Sequence, residues 1–487
     1  MKLGYLLEHI LDTDSQLSVE GLALDSRCVE PGDVFIALNG ALQHGLRHAD
    51  AAIARGAVAI LYDPEGIAAS EVPRAGIPLF AIAGLARQLG ALASRFYGHP
   101  SRALMMIGVT GTNGKTTCSQ LLAQILPDCG VIGTLGWGDA ACLQPTLNTT
   151  PDAMAIHQML HRFVAQNKTA VVMEVSSHGL AQGRVDGISF TGAVFTNLSR
   201  DHLDYHGSME NYLQAKLLLF KNPGLRFAVV NIDDENGQRV LDTLAPEVKR
   251  WTFSVKGRLA QHAECLTASN VIHDTRGMAF DVHWNGRILR VRTSICGAFN
   301  VQNVMTVLSV LLALDWPFED AVAALTTLQA VAGRLEKYGG QGKPTVYVDY
   351  AHTPDALEKV LRAIHGEGRL WVVFGCGGDR DSGKRPQMGR IAEACADHVI
   401  ITDDNPRTED PQHITAAILA GCLTDKVRVI NDRRQAIEYA LTHAANDDHI
   451  VIAGKGHENY QEIQGVKTPF SDQAIVIDAL ARRGCGA

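Results

Sequence analysis

The chain has 487 residues, of which 46% are hydrophobic and 20% charged, and a formal net charge of −8. Acidic and basic residues are mixed along it, which speaks against a nucleic-acid protein with a basic face. No apolar run reaches the roughly 18 residues of a membrane span, and the N-terminus MKLGYLLEHILDTDSQ lacks the apolar stretch of a signal peptide.

At about 150 residues per domain the length predicts about three domains. Residues 1–98 alternate short strands and helices. GDVFIAL (32–38) and VAILYD (58–63) read as buried strands, and the stretch between them and LARQLGALASRFYG (85–98) as helices. Pro100 and Ser101 punctuate the end of this block. A second block, 99–332, opens on the apolar run Leu104–Val109, then a Gly-rich turn and a helix from about Lys115. AVVMEV (170–175), GAVFTN (192–197), a helix at 208–220 and RFAVVNID (226–233) continue the alternation, and 298–328 reads as two helices. The third block, 333–487, holds the strands TVYVDY (345–350), LWVVFG (370–375), HVIITDD (398–404), VRVI (427–430) and HIVIAG (449–454), separated by helices. Such alternation predicts the α/β class, with parallel-rich sheets covered by helices. Residues 255–290 carry no assignment. The ten cysteines form no C-x-x-C pair, so free thiols in a reducing, cytoplasmic compartment are expected.

The segment Gly108-Val-Thr-Gly-Thr-Asn-Gly-Lys-Thr-Thr117 lies between a strand and a helix. Glycines there let backbone N–H groups wrap phosphates, Lys115 offers a cation and Thr116 a hydroxyl for Mg²⁺. Val109 stands where the usual phosphate loop begins with glycine, but the Gly114-Lys115-Thr116 core is intact. No N-K-x-D guanine signature follows, which favours ATP.

In the helix SMENYLQAKLLLF, Lys216 falls on the apolar stripe of Met209, Tyr212, Leu213, Leu219 and Phe220. Burial disfavours the charged amine. Three resolutions are open: a stem that snorkels to water, an acidic partner, or a neutral amine that adds CO₂ and becomes an anionic carbamate able to ligate Mg²⁺. Glu174 ends a strand, where ligands of open α/β sheets bind, and is a sensible Mg²⁺ ligand or else a turn carboxylate. The loop TNLSRDHLDYHG (196–207) clusters Asp201, His202, Asp204 and His206, a metal or phosphate site or plain turn residues.

These residues fall into an ordered set: G-T-N-G-K-T at 111–116, E-V-S-S-H at 174–178, T-N-L-S-R-D-H-L-D at 196–204, Y-L-Q-A-K at 212–216, G-A-F-N-V-Q-N at 297–303, G-R-L-E at 333–336 and D-Y-A-H-T-P-D at 349–355. In order and spacing the set resembles the Mur ligases of peptidoglycan synthesis, and it covers nearly the whole chain. The resemblance implies a UDP-sugar-binding domain (1–98), a central P-loop ATPase (99–332) and a Rossmann-like amino-acid-binding domain (333–487). It implies an ATP-dependent amide ligase acting through an acyl phosphate, and a monomer. By likeness Gly111, Thr112, Asn113, Gly114, Lys115, Thr116, Thr117, Asn300, Arg334 and Asp349 contact ATP. Lys115, Glu174, His202 and Lys216 are the catalytic set. Mg²⁺ falls to Thr116, Glu174, His202 and Lys216, the last as its carbamate (N6-carboxylysine). Ser26 and Arg27 match the uridine end of UDP-N-acetylmuramoyl-L-alanyl-D-glutamate. Asn148, Thr149, Thr150, Ser176, Gln182 and Arg184 match its muramoyl peptide.

The motif Asp404-Asn405-Pro406-Arg407 resembles that of members adding meso-diaminopimelate. Arg407 would meet the far carboxylate as a bidentate fork, Arg380 would supply a second fork, and Gly454 and Glu458 would meet the distal ammonium. Taken alone, Asn-Pro is also a good turn former. The competing expectations are the same ligase with L-lysine, a folylpolyglutamate-type ligase, against which the N-terminal DSRCVEPGDVF block argues, and a P-loop protein that binds nucleotide as a switch.

Overall fold

The computed structural model describes residues 1–40, 43–73, 76–274, 277–364, 368–424 and 426–484. They form two compact units. One holds residues 1–107, 128–191 and 222–224, the other 108–127, 192–221 and 225–487.

The first unit begins with a four-stranded parallel sheet of Gly21–Ala23, Asp33–Ala37, Ala59–Tyr62 and Leu79–Ala81, in that spatial order. Asp33–Ala37 is buried along its whole length, as the apolar run predicts for a strand covered on both faces. Helix Leu85–Phe96 packs Leu85, Leu89 and Leu92 onto this core beside Val34, Ile36 and Leu61. Further on, Cys129–Gly133 pairs parallel with Ala170–Glu174, and two short antiparallel strands, Gly136–Asp139 and Cys142–Gln144, extend it.

Helix Ala153–Ala165 buries His157 completely. Its Nε2 lies 3.2 Å from the Asp186 carbonyl, and Nδ1 has no hydrogen-bond partner. Burial lowers the ring to about pKa 4, against the Asp186 contact. The folded chain therefore keeps this ring neutral where the unfolded chain, near its ordinary value of about 6.5, is already protonated. Stability is full above about pH 6.5, falls as the pH drops toward 4, and loses at most about 1.4 kcal/mol per pH unit from this group. Denaturant titrations of the parent and His157→Gln across that window should diverge, with the parent the steeper. Parallel curves would contradict the assignment.

In the second unit Gly192–Phe195, Phe227–Asn231, Lys249–Ser254 and Glu264–Asp274 pair parallel in succession. Gly277–Trp284 and Arg287–Thr293 then add antiparallel. Here the structure departs from uniform strand–helix alternation: the unassigned 255–290 region is largely a meander. Asn285 and Gly286, with φ of 49° and 73°, make the tight turn of its last hairpin. The two helices expected over 298–328 are Asn300–Ala313 and Phe318–Ala324.

A six-stranded sheet follows, in the order Glu336–Gly339, Thr345–Asp349, His449–Ala453, Leu370–Phe374, His398–Ile401, Val427–Val429. All its pairings are parallel except the first. Val372 and Phe374 face one apolar core and Trp371 and Val373 the opposite one, which is why these strands read as continuous apolar runs. The chain returns from Val427–Val429 to place His449–Ala453 between Thr345–Asp349 and Leu370–Phe374. Ligands of open α/β sheets bind at the carboxyl ends of strands beside such a reversal. No helix among the described residues is long and apolar enough to cross a membrane. The nine described cysteines are free thiols; Cys485 lies outside the described residues.

Candidate functional site

The phosphate loop follows strand Met105–Thr110, and helix Lys115–Ile125 begins directly after Gly114. Gly111 has φ 146°, and a Cβ there would collide with Thr196 Oγ1, so glycine is required. The loop is braced from one side. Asn197 accepts from Asn113 N at 2.9 Å, Thr196 Oγ1 donates to the Asn113 carbonyl at 2.6 Å, and Thr112 Oγ1 lies 3.1 Å from the Tyr212 hydroxyl. Lys115 Nζ donates to the Gly111 and Thr112 carbonyls at 2.9 and 3.0 Å. Arg334 Nη2 donates to Thr116 Oγ1 at 2.9 Å, and its guanidinium lies 4.6 Å from the Tyr350 ring centre.

Asp349 lies under this arginine. It accepts from Leu335 N and Ala351 N at 2.6 and 2.7 Å, and burial pushes it up to about pKa 6 against Arg334 and those two N–H groups. Asn300 donates to the Cys296 carbonyl at 2.6 Å. A cavity of 160 Å³ runs beside the loop, lined by Thr117, Ser294, Cys296, Asn300, Val331 and Arg334 among others.

Lys216 is only 1% exposed. Its Nζ sits 4.4 Å from the Tyr212 ring centre and donates to the Gly111 carbonyl at 2.9 Å. The stem therefore does not snorkel, and no carboxylate among the described residues forms an ion pair with it. Burial, reinforced by the neighbouring Lys115 cation, holds the amine well below its ordinary pKa, with Asp201 opposing. Of the three resolutions, snorkelling and a carboxylate ion pair are not what the described residues show, and the carbamate is left open.

Asp201 is buried with its carboxylate 3.4 Å from His202 Nε2, 3.8 Å from His352 Nε2 and 3.8 Å from Lys384 Nζ. Burial raises its pKa, but His202, His352 and Lys384 outweigh that and hold it at about 2. His352 is lowered to about 4 by burial and then by Lys384. His202 has φ 54°, a left-handed conformation uncommon without glycine and concentrated at functional sites.

In the first unit Glu174 is fully buried and accepts from Thr134 N at 2.8 Å and Thr134 Oγ1 at 3.1 Å. Thr134 Oγ1 lies 3.0 Å from Thr149 Oγ1. Thr150 Oγ1 donates to the Glu174 carbonyl and accepts from Ser176 N, at 2.8 and 2.9 Å. Arg184 donates to the Thr150 carbonyl at 2.7 Å and to Gln182 Oε1 at 2.9 Å. Five of the six residues expected at the muramoyl peptide are thus one connected group, while Asn148 is exposed. Arg27 is exposed and paired with Asp25 at 2.6 Å, and Ser26 beside it is buried.

At the carboxyl ends of the six-stranded sheet, Arg407 Nη1 donates to the Gly378 carbonyl at 2.7 Å, and Nε lies 3.8 Å from Glu462. Arg407 has φ 53°, locked by Arg407 N to the Glu462 carbonyl at 3.0 Å and Gln464 N to the Arg407 carbonyl at 2.7 Å. Arg380 is exposed and, like Arg407, flanks Gly377. Asn405, next to Pro406, donates to Glu458 Oε2 at 2.8 Å. Arg385 grips Glu409 bidentately at 2.9 and 2.8 Å, which pins the 377–381 loop beside 405–409.

Three stretches match domains of one family: residues 18–97 the Mur ligase family catalytic domain, 109–311 the Mur ligase middle domain, and 333–456 the Mur ligase glutamate ligase domain. A UDP-N-acetylmuramoyl-L-alanyl-D-glutamate--2,6-diaminopimelate ligase of Pseudomonas aeruginosa is 48% identical over 96% of each chain. One of the same name from Xylella fastidiosa is 49% identical over 99% of this chain and 97% of its own. The chain belongs to the Mur ligase family. A solved structure bearing the same ligase name superposes with a TM-score of 0.69 at 36% identity, covering 99% of this chain and 100% of its own.

Mur ligases are ATP-dependent amide ligases that release ADP, so this chain is an enzyme of that type. Its mixed α/β architecture with parallel-rich sheets, in a three-domain layout, is the family's and agrees with the sequence expectation. Sequence reasoning passed over Lys384 and Lys455, both buried in this Mur ligase. Each stands beside a glycine in a loop-like stretch, which reads as exposed chain.

Proposed function

We propose that this Mur ligase adds meso-2,6-diaminopimelate to UDP-N-acetylmuramoyl-L-alanyl-D-glutamate, consuming ATP, as a cytoplasmic step of peptidoglycan precursor synthesis. The close relatives carry that activity in their names. What supports it in this chain is the charge layout at the sheet ends: Arg407 and Arg380 flank Gly377, and Glu458 stands across Asn405. Two cationic forks and one carboxylate suit the distal amino-acid centre of diaminopimelate, which carries both a carboxylate and an ammonium.

The phosphate loop and Lys115 hold the nucleotide phosphates, and the cavity beside Asn300 and Arg334 takes the base. Among the described residues no three His, Cys, Asp or Glu side chains converge on a metal position. A carbamate on the buried Lys216 would add anionic oxygens there, and Thr116, His202 and carbamylated Lys216 would be the donors that hold Mg²⁺. The share assigned to Glu174 rests on its motif alone. When bound, Mg²⁺ neutralises phosphate charge.

The γ-phosphoryl group passes from ATP to an oxygen of the D-glutamyl carboxylate, the bond to the β-phosphate oxygen breaks, and ADP leaves. Lys115 stays with the phosphates throughout and offsets their charge. The amine of diaminopimelate then attacks the acyl carbon, the C–O bond to phosphate breaks, and the amine gives up a proton as the amide forms. With ¹⁸O in the D-glutamyl carboxylate, released phosphate should carry one ¹⁸O per turnover. Unlabelled phosphate would contradict the acyl-phosphate route.

A further inference from the structure

We propose that Lys455 is a positioning residue for the amino-acid substrate: it fixes the Asn405 amide and supplies the counter-charge that lets Asp404 and Glu458 stand in one pocket. The inference rests on the reading of this pocket as the diaminopimelate site. Lys455 is completely buried. Its Nζ donates to Asn405 Oδ1 and the Tyr460 carbonyl, both at 2.8 Å, and lies 3.4 Å from Glu458 Oε2 and 3.6 Å from Asp404 Oδ1. An ammonium has three donors, and these partners use them, so Lys455 has none to offer a ligand. It acts through its neighbours.

The effect on Asn405 is geometric. Oδ1 accepts from Lys455 and from Glu462 N at 3.0 Å, which leaves Nδ2 to donate to Glu458 Oε2 at 2.8 Å. Loss of Lys455 removes the anchor that sets this amide orientation. The effect on Glu458 is electrostatic. Burial and then Asp404 raise its pKa, while Lys455 and the Asn405 hydrogen bond lower it. The other titratable groups facing it are Arg433, Tyr350 and Tyr460.

The local fold is built to bring Lys455 here. Gly454 has φ 115°, and a Cβ would strike Asp404 Oδ2. The fully buried pair Arg433–Asp472, at 2.7 Å, also donates from Arg433 to the Ala453 carbonyl at 3.0 Å and so fixes the strand end just before it.

The test is steady-state phosphate release by the full chain, with KM measured separately for meso-diaminopimelate and ATP from about pH 6 to about pH 9. Lys455→Met should raise the diaminopimelate KM on the order of tenfold or more and leave that for ATP within about twofold. The penalty should grow as the pH falls, because Glu458 is then protonated more readily. Lys455→Arg, which keeps the cation, should follow the parent's pH profile. An unchanged KM, an equal rise for ATP, a penalty independent of pH, or a Lys455→Arg variant as impaired as Lys455→Met would each overturn the proposal. Lys455→Gln replaces Lys455→Met if the latter does not fold. If the parent is not stimulated by diaminopimelate at all, the functional reading fails instead, and the two failures are distinguishable.

Discussion

Replacing Lys216 with methionine should abolish ligase turnover and leave the fold intact or firmer. Methionine matches the lysine stem in length and carries no polar group into the space between Tyr212 and Gly111, where burial already disfavours the charged amine. Removing a buried ionisable group in favour of an apolar one of similar volume is commonly neutral or stabilising. The melting temperature should therefore hold or rise. Phosphate release should fall on the order of a thousandfold, the scale expected when a preorganised charge partner of a transferring phosphoryl group is lost. A carbamate signal in the parent under ¹³C-bicarbonate, absent from Lys216→Met, would tie the loss to the modification. Activity within about tenfold of the parent would remove Lys216 from the mechanism.

The second large effect belongs to Arg407. Its left-handed backbone is held by two hydrogen bonds to the hairpin strand Tyr460–Ile463 and the turn after it. The guanidinium is thus aimed by main-chain geometry, and its other contacts are the Gly378 carbonyl and Glu462. A substrate without a second carboxylate leaves this fork unmatched, and an unpaired polar group discriminates more strongly than a missing methylene. Arg407→Ala should lower kcat/KM for meso-diaminopimelate about a hundredfold or more and leave the much weaker rate with L-lysine nearly unchanged. Arg407→Lys should recover little, because a point charge lacks the planar fork. A preference ratio that survives Arg407→Ala would return Asp404-Asn405-Pro406-Arg407 to the status of a turn.

Much of this site was legible in the sequence because its chemistry is local. Gly111 to Thr117 wraps phosphate by backbone, and its glycines and Lys115 announce that directly. Lys216 was legible through conflict, since a cation on an apolar stripe demands an explanation, and the structure removes the snorkelling and ion-pair answers. What was not legible arises from contacts distant in sequence. Lys384 gains meaning only beside Asp201, and Lys455 only beside Asn405, 50 residues away. Residues 255–290 were missed for a different reason. Their strands alternate polar and apolar with a half-exposed face, unlike the continuous runs of the buried parallel strands. The Asn285-Gly286 pair was the available signal, since two successive left-handed residues make the hairpin turn that right-twisted strands prefer.

The most direct test of the account is phosphate release from ATP in the presence of UDP-N-acetylmuramoyl-L-alanyl-D-glutamate, with the amino acid varied. The account predicts turnover driven by meso-diaminopimelate and barely stimulated by L-lysine. Equal or better turnover with L-lysine would contradict the reading of Arg407 and its pocket, and no stimulation by either amino acid would contradict the proposed ligase reaction itself.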